Sequence, residues 1–145
     1  MIHLLLADDH QIILDGMVNL LENQEDIRII ATCKNGKEVL QQLHHEKVDV
    51  LLLDLDMPVM NGFECAKEVQ KSFPFVKIVI LTMHEEKALI QEFTHMKMMY
   101  FTIFTFQLIT KKDLDFILQP DINTVRNLIF GFGTEFGIIG MKKPC

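Results

Sequence analysis

The chain has 145 residues, of which 49% are hydrophobic and 23% charged, and its formal net charge is −6. This length is typical of one domain with a real hydrophobic core, and the composition excludes disordered, collagen-like and coiled-coil proteins. No apolar run is long enough for a membrane span, and the first residues lack the basic start of a signal peptide. The three cysteines form no metal or redox motif, so we expect a cytoplasmic protein without a membrane partner.

Charge and phenylalanine are unevenly distributed along the chain. Residues 1–93 carry 16 acidic and 8 Lys or Arg side chains, whereas residues 94–145 carry 4 and 6. Eight of the 11 phenylalanines lie at or after Phe93. The acidity of the first part argues against broad nucleic-acid binding there. The amino-acid composition of the chain therefore changes near residue 93.

Short apolar runs alternate with helical patterns in the first part. Apolar runs typical of buried strands cover residues 2–7, 27–32, 48–53 and 76–81. Helical spacing of apolar residues follows each of them, over residues 11–22, 37–45, 63–73 and 85–93. The apolar face of the first helix is predicted to hold Ile12, Ile13, Met17, Leu20 and Leu21. This order predicts an α/β fold of parallel strands with right-handed crossovers.

Polar side chains stand where three of the apolar runs end. They are Asp8 and Asp9, Asp54, and Thr82. The carboxyl ends of parallel strands meet at one sheet edge, so we expect these residues to converge. Clustered carboxylates repel each other, and a Mg²⁺ ion relieves that repulsion. Such a site suits phosphoryl transfer to an aspartate oxygen, although a single Asp after a strand is more commonly a helix cap or a turn residue.

Three segments carry a family resemblance. LLLADDH, VLLLDLDMPVMNGFE and IVILTMHEEKAL resemble the receiver domain of two-component response regulators, in the branch with a C-terminal helix-turn-helix. The match covers about residues 2–93. It implies a flavodoxin-like, doubly wound parallel sheet of five strands flanked by helices.

The resemblance implies a role for each acidic residue. Asp54 would accept a phosphoryl group from the phosphohistidine of a sensor histidine kinase. Asp9 and Asp54 would bind Mg²⁺ directly, the backbone carbonyl of Asp56 would be a further ligand, and Asp8 would act through water. The protein would not be a turnover enzyme, although it would promote its own phosphorylation and dephosphorylation.

The resemblance also implies a switch beside the phosphoryl site. Thr82 would be the switch hydroxyl, and Tyr100 or Phe101 would be the switch aromatic, with plain strand packing as the alternative for both aromatics. The loop beside the site would be shaped by Met57, Pro58 and Gly62.

The family pattern breaks after about residue 93. Receivers of this type end a fifth strand with a lysine, and no lysine stands at the expected position within residues 98–106. Lys97 comes too early, and Lys111 and Lys112 lie beyond the run. A fixed cation beside a phosphoryl group offsets its charge. We therefore expect Asp54 to remain phosphorylatable through Mg²⁺ while the switch is weakened.

We predict a receiver domain over residues 1–119 and an atypical tail over residues 120–145. Short helices are predicted at residues 111–118 and 123–129, which leaves no room for a complete DNA-binding domain. A groove-reading helix needs a supporting scaffold, so we do not expect DNA binding through Arg126 from this chain alone. A frame change or truncation of the coding sequence near residue 94 is one hypothesis for the break.

Three functional hypotheses remain open. The first is a phospho-accepting module whose partners are a sensor histidine kinase and, as a candidate assembly, a second copy of the chain. The second is a haloacid-dehalogenase-type phosphatase, because Asp54 and Asp56 have the spacing of a nucleophile and a general acid. The third is a degenerate pseudo-receiver that binds partners without switching.

Overall fold

The computed structural model describes the chain over residues 1–82 and the backbone of residues 99–102, with side chains described over residues 1–81. The strands are β1 (Ile2–Ala7), β2 (Ile27–Cys33), β3 (Val50–Asp54), β4 (Lys77–Thr82) and β5 (Met99–Thr102). The helices are α1 (Gln11–Leu21), α2 (Gly36–His45) and α3 (Gly62–Ser72). The helices predicted at residues 85–93, 111–118 and 123–129, and the boundary at residue 119, lie outside the described residues.

The five strands form one parallel sheet in the order β2-β1-β3-β4-β5. This is the strand order of flavodoxin-like doubly wound folds, which have their topological switch point between β1 and β3. The predicted fold class is confirmed. None of the helices in the described part of the chain is long and apolar enough to cross a membrane.

The strand register aligns the carboxyl ends of the strands at one edge. Ala7 at the end of β1 is paired with Leu53 of β3, and Asp54 is paired with Leu81 of β4. Thr82 at the end of β4 is paired with Thr102 at the end of β5. Residues that end or follow these strands are therefore brought to a common edge, as the topology predicts.

The sheet is covered on both faces by hydrophobic clusters. One cluster joins Leu5, Leu51 and Ile80 to residues of α2 and α3, and the other joins Leu4 and Leu52 to residues of α1. Neighbouring residues of a strand point to opposite faces, so both faces of the central strands need apolar side chains. This explains why the strands are continuous apolar runs instead of alternating ones.

The predicted apolar face of α1 is wrong at Ile12. The side chain of Ile12 is 75% exposed, whereas Leu14, which the prediction left out, is 1% exposed and belongs to the core. Residues two positions apart on a helix point in directions about 200° apart around its axis. Because Leu14 faces the sheet, Ile12 faces solvent. Met17 and Leu20 pack at the edge of the cluster, and Leu21 is buried, as predicted.

The two Asn-Gly pairs begin helices. Asn35 caps α2 by accepting a hydrogen bond from the Glu38 amide at 3.0 Å. Asn61 caps α3 in the same way, accepting from the Glu64 amide at 2.8 Å. Asparagine is a preferred cap because its side chain satisfies an amide that lacks a helical partner. Each helix therefore begins one residue earlier than predicted, at the glycine.

Candidate functional site

The structure brings three carboxylates together at the carboxyl edge of the sheet. Asp8 and Asp9 directly follow β1, and Asp54 is the last residue of β3. One carboxylate oxygen from each of them, together with a ring nitrogen of His10, lies within a group in which all atoms are within 4.8 Å of one another. We call these four residues the acidic cluster.

Asp8 is held in place by hydrogen bonds from the next turn of the chain. Its side chain is buried, with only 6% of the residue exposed. Its Oδ1 accepts hydrogen bonds from the His10 amide at 2.8 Å and from His10 Nδ1 at 3.0 Å. Its own amide donates to the Cys33 carbonyl at the end of β2, at 3.0 Å. Hydrogen bonds to its side chain and from its backbone amide therefore both hold Asp8 in place.

Asp9 presents a buried oxygen that lacks a hydrogen bond within the described structure. The Oδ1 atom has no hydrogen-bond partner, although it lies 2.9 Å from His10 Nδ1 as an ion-pair contact. Buried carboxylate oxygens in proteins are almost always hydrogen-bonded or bound to a cation. This oxygen has the free bonding capacity that a metal ion would use.

Asp54 is held in an environment that disfavours its ionised form. Burial raises the pKa of Asp54 from 3.8 to about 6, and the charges of Asp8, Asp56 and Asp9 add to the effect. A hydrogen bond from the Leu55 amide acts in the opposite direction. A divalent cation at this place would favour the ionised carboxylate. The hard oxygen donors of the acidic cluster suit Mg²⁺, so the residues present fit that ion.

The loop after β3 is closed directly onto the strand end. The Gly62 amide donates to the Leu55 carbonyl at 2.9 Å. A Cβ atom at Gly62 would lie 2.0 Å from the Asp54 carbonyl oxygen and 2.8 Å from Leu55 Cα. No side chain fits there, so the glycine allows the start of α3 to approach the candidate phosphoacceptor.

The other residues of this loop occupy different environments. Met57 is buried in the core cluster of α2 and α3, whereas Pro58 and the side chain of Asp56 are exposed. Val59 has a φ of 68°, which is unusual for a β-branched residue. The sequence contains no signal for this strained backbone.

His10 is a fourth residue of the site, which the pattern of carboxylates at the strand ends did not identify. Its side chain is 66% exposed, yet its Nδ1 contacts both Asp8 and Asp9. The hydrogen bond with Asp8, followed by the charges of Asp9 and Asp8, raises the pKa of His10. Its position directly after two aspartates at a strand end was the signal available in the sequence.

The predicted switch residues are described only by their backbone. Thr82 ends β4, while Tyr100 and Phe101 of β5 are paired with Ile80 and Leu81. The side chains of these switch residues lie outside the described part of the chain. Lys97, Lys111, Lys112 and Arg126 lie entirely outside the described residues.

Comparison with known proteins identifies the family. Residues 4–110 match the response regulator receiver domain. The chain is 38% identical over 92 residues to the transcriptional regulatory protein LnrK of Bacillus subtilis, which is 63% of this chain and 42% of LnrK. It is 34% identical over 89 residues to the response regulator UvrY of Escherichia coli, which is 61% of this chain and 41% of UvrY. Each alignment thus spans less than half of the relative.

The fold is also similar to that of a solved receiver domain. The isolated receiver domain of RcsB from Salmonella enterica serovar Typhimurium, determined with the phosphomimetic BeF₃⁻, superimposes with a TM-score of 0.69. The sequences are 22% identical, and the match covers 88% of this chain and 92% of that domain. The strand order, the acidic cluster and the sequence match agree: the chain belongs to the response regulator receiver domain family.

Proposed function

We propose that this chain is a phospho-accepting receiver of a two-component phosphorelay, and that Asp54 takes its phosphoryl group from a phosphohistidine of a sensor histidine kinase. The observation that supports this most is the meeting of Asp8, Asp9 and Asp54 at the carboxyl edge of the sheet. An ionised Asp54 oxygen attacks phosphorus and forms an acyl-phosphate bond. The P–N bond breaks, its electron pair goes to the imidazole nitrogen of the kinase, and that nitrogen takes a proton from solvent.

The same residues would hold a Mg²⁺ ion. Asp9 and Asp54 would bind it directly, the backbone carbonyl of Asp56 would be a further ligand, and Asp8 would act through water. The Oδ1 of Asp9, which accepts no hydrogen bond in the described structure, and the raised pKa of Asp54 support this assignment. When bound, Mg²⁺ neutralises charge on the phosphoryl oxygens.

Phosphorylation would act as a switch through the neighbouring strand ends. A phosphoryl group adds close to two negative charges to a crowded acidic site. The Thr82 hydroxyl would hydrogen-bond that group, and Tyr100 or Phe101 would follow the movement. Met57, Pro58 and Gly62 would keep the loop beside the site in shape. A small shift between two states at this edge would then be read at a distant face.

The deciding experiment is phosphorylation by a small-molecule donor. The full chain is incubated with acetyl phosphate and Mg²⁺, and the intact mass is measured. We expect the mass of one added phosphoryl group, which disappears in Asp54→Asn and on chelation of Mg²⁺. Asp15→Asn is the matched control, because Asp15 is an exposed carboxylate of α1 outside the acidic cluster. No adduct on the folded wild-type chain would refute the proposal.

A degenerate pseudo-receiver is the second candidate, and the end of β5 favours it. The strand ends at Thr102 opposite Thr82. The next residues are Ile103, Phe104 and Thr105, so the lysine expected at this strand end is missing. A switching receiver should show altered amide hydrogen exchange around residues 82–102 when BeF₃⁻ and Mg²⁺ are added. Unchanged exchange in a chain that still takes phosphate at Asp54 would indicate the pseudo-receiver.

The partners and domain limits complete the proposal. We infer a receiver over residues 1–119 with a tail over residues 120–145, located in the cytoplasm and acting with a sensor histidine kinase. A homodimer is the candidate assembly, which size-exclusion chromatography with and without BeF₃⁻ would test. We propose no DNA binding for this chain alone, and retention of the chain on duplex DNA at physiological salt would contradict that.

A further inference from the structure

We propose that Val59 is a positioning residue of the loop between β3 and α3: its strained backbone favours opening of the loop and thereby weakens metal binding beside Asp54. The inference rests on the proposed function, because it takes the backbone carbonyl of Asp56, a residue of this loop, as a ligand of the ion. It concerns a residue to which neither the carboxylate pattern nor the family resemblance gave a role.

The backbone of Val59 forms a γ-turn. Among the described residues Val59 alone has a positive φ, of 68°. The Met60 amide donates to the Pro58 carbonyl at 2.7 Å, a hydrogen bond that spans only the residue between them. A three-residue turn with a positive central φ is the rare, strained form, and a β-branched residue is especially unfavourable in it. Glycine or asparagine would adopt this conformation at lower cost.

Burial of the Val59 side chain does not compensate for this strain, because the residue is 71% exposed. Its neighbours are held by the rest of the fold. Met57 is buried in the core, and the Met60 carbonyl accepts a hydrogen bond from the Gly36 amide at the start of α2, at 2.9 Å. A strained backbone persists only where the surrounding contacts over-determine it. The turn therefore relaxes when the hydrogen bond between Gly36 and Met60 opens.

The two ends of the loop meet beside the candidate phosphoacceptor. The Leu55 amide donates a hydrogen bond to the Asp54 carboxylate, and the Leu55 carbonyl accepts one from the Gly62 amide at 2.9 Å. Asp56 and Val59 both belong to the segment between these two ends. Opening of the loop would displace the proposed ligand carbonyl. An ion that binds only the closed loop has an apparent affinity that falls with the closed fraction.

Amide hydrogen exchange and metal binding in variants of the full chain test the proposal. Val59→Gly and Val59→Asn relieve the strain, whereas Val59→Ile is the matched control, since it keeps a β-branched side chain at this exposed position. In the metal-free chain, exchange of the Gly36 amide should slow about fivefold or more in the Gly and Asn variants, because such strain corresponds to at least about fivefold in an equilibrium constant. Titration calorimetry should show severalfold tighter Mg²⁺ binding in the same two variants. Val59→Ile should match wild type in both measurements.

The outcomes separate this inference from the proposed function. Equal exchange of the Gly36 amide in wild type and Val59→Gly would overturn the inference, because the turn would then store no strain that opening relieves. Slower exchange with unchanged Mg²⁺ affinity would also overturn it, since the strain would then have no effect on the site. A Val59→Ile chain that behaves like Val59→Gly would exclude the backbone as the cause. Absence of phosphorylation at Asp54 would refute the proposed function, whereas exchange in the metal-free chain measures the strain at Val59 without phosphorylation.

Discussion

Replacing Asp54 with asparagine should stabilise the metal-free chain at neutral pH. Burial and the charge of Asp8 raise the pKa of Asp54 from 3.8 to about 6, so the ionised form is less favourable in the folded chain than in the unfolded one. Asparagine keeps the shape of the side chain and removes the charge. The variant should therefore be more stable than wild type, although it has lost the candidate phosphoacceptor.

The magnitude follows from the pKa. The interval between 3.8 and about 6 corresponds to about 3 kcal/mol, at 1.36 kcal/mol for each pKa unit. Asp54 is only partly buried, so solvent screening reduces this figure and we expect a gain of roughly 1–3 kcal/mol. Because the folded pKa is raised, the contribution of Asp54 to stability is fully present below the unfolded pKa and is lost as pH rises through about 6. The gain should therefore be largest above neutral pH and close to zero below pH 4.

Urea unfolding followed by circular dichroism, in the presence of a chelator, measures this gain at several pH values. Asp15→Asn serves as the control, because it removes an exposed carboxylate of α1 and should change stability little. A saturating concentration of Mg²⁺ should shrink or reverse the difference, since the ion stabilises only a native state that binds it. An Asp54→Asn chain that is no more stable than wild type at neutral pH would refute the electrostatic reasoning. A gain of equal size at low pH would do the same.

Three further predictions follow from the described residues. Gly62→Ala should lower the free energy of unfolding by about 2 kcal/mol or more, measured by urea unfolding, because the added Cβ would collide with the Asp54 carbonyl. The control Gly16→Ala has open space around its Cβ in α1 and should be neutral or stabilising. Asp49→Asn should destabilise the chain at neutral pH, and the difference should shrink as pH falls below 3.8. Burial raises the pKa of Asp49, but hydrogen bonds from His3 and the charges of His3 and Lys47 together lower it, and stability from such a group is lost as pH falls through the folded pKa. Finally, incubation with a generic phosphomonoester should show no sustained turnover, and sustained turnover abolished by Asp54→Asn would instead support the phosphatase hypothesis.

Much of the fold was accessible from local pattern. Parallel strands covered on both faces must be apolar at nearly every position, so the runs around residues 2–7 and 48–53 could be recognised as strands from the sequence. Their alternation with amphipathic segments left few topologies open. The meeting of Asp8 and Asp54 at one edge followed from the rule that the carboxyl ends of parallel strands lie together. Only the roles of these carboxylates required the family resemblance.

The sequence alone thus determined the order of the elements, the parallel sheet and the edge at which the carboxylates meet. The tertiary structure decided what each side chain does there. It turned Leu14 instead of Ile12 toward the sheet, brought Gly62 against the Asp54 carbonyl and placed the ring of His10 against Asp8. The reason is physical: hydrophobic period and strand ends are local properties, whereas burial, charge proximity and the close approach of a loop depend on residues distant in the chain. The raised pKa of Asp54 is a consequence of that assembly.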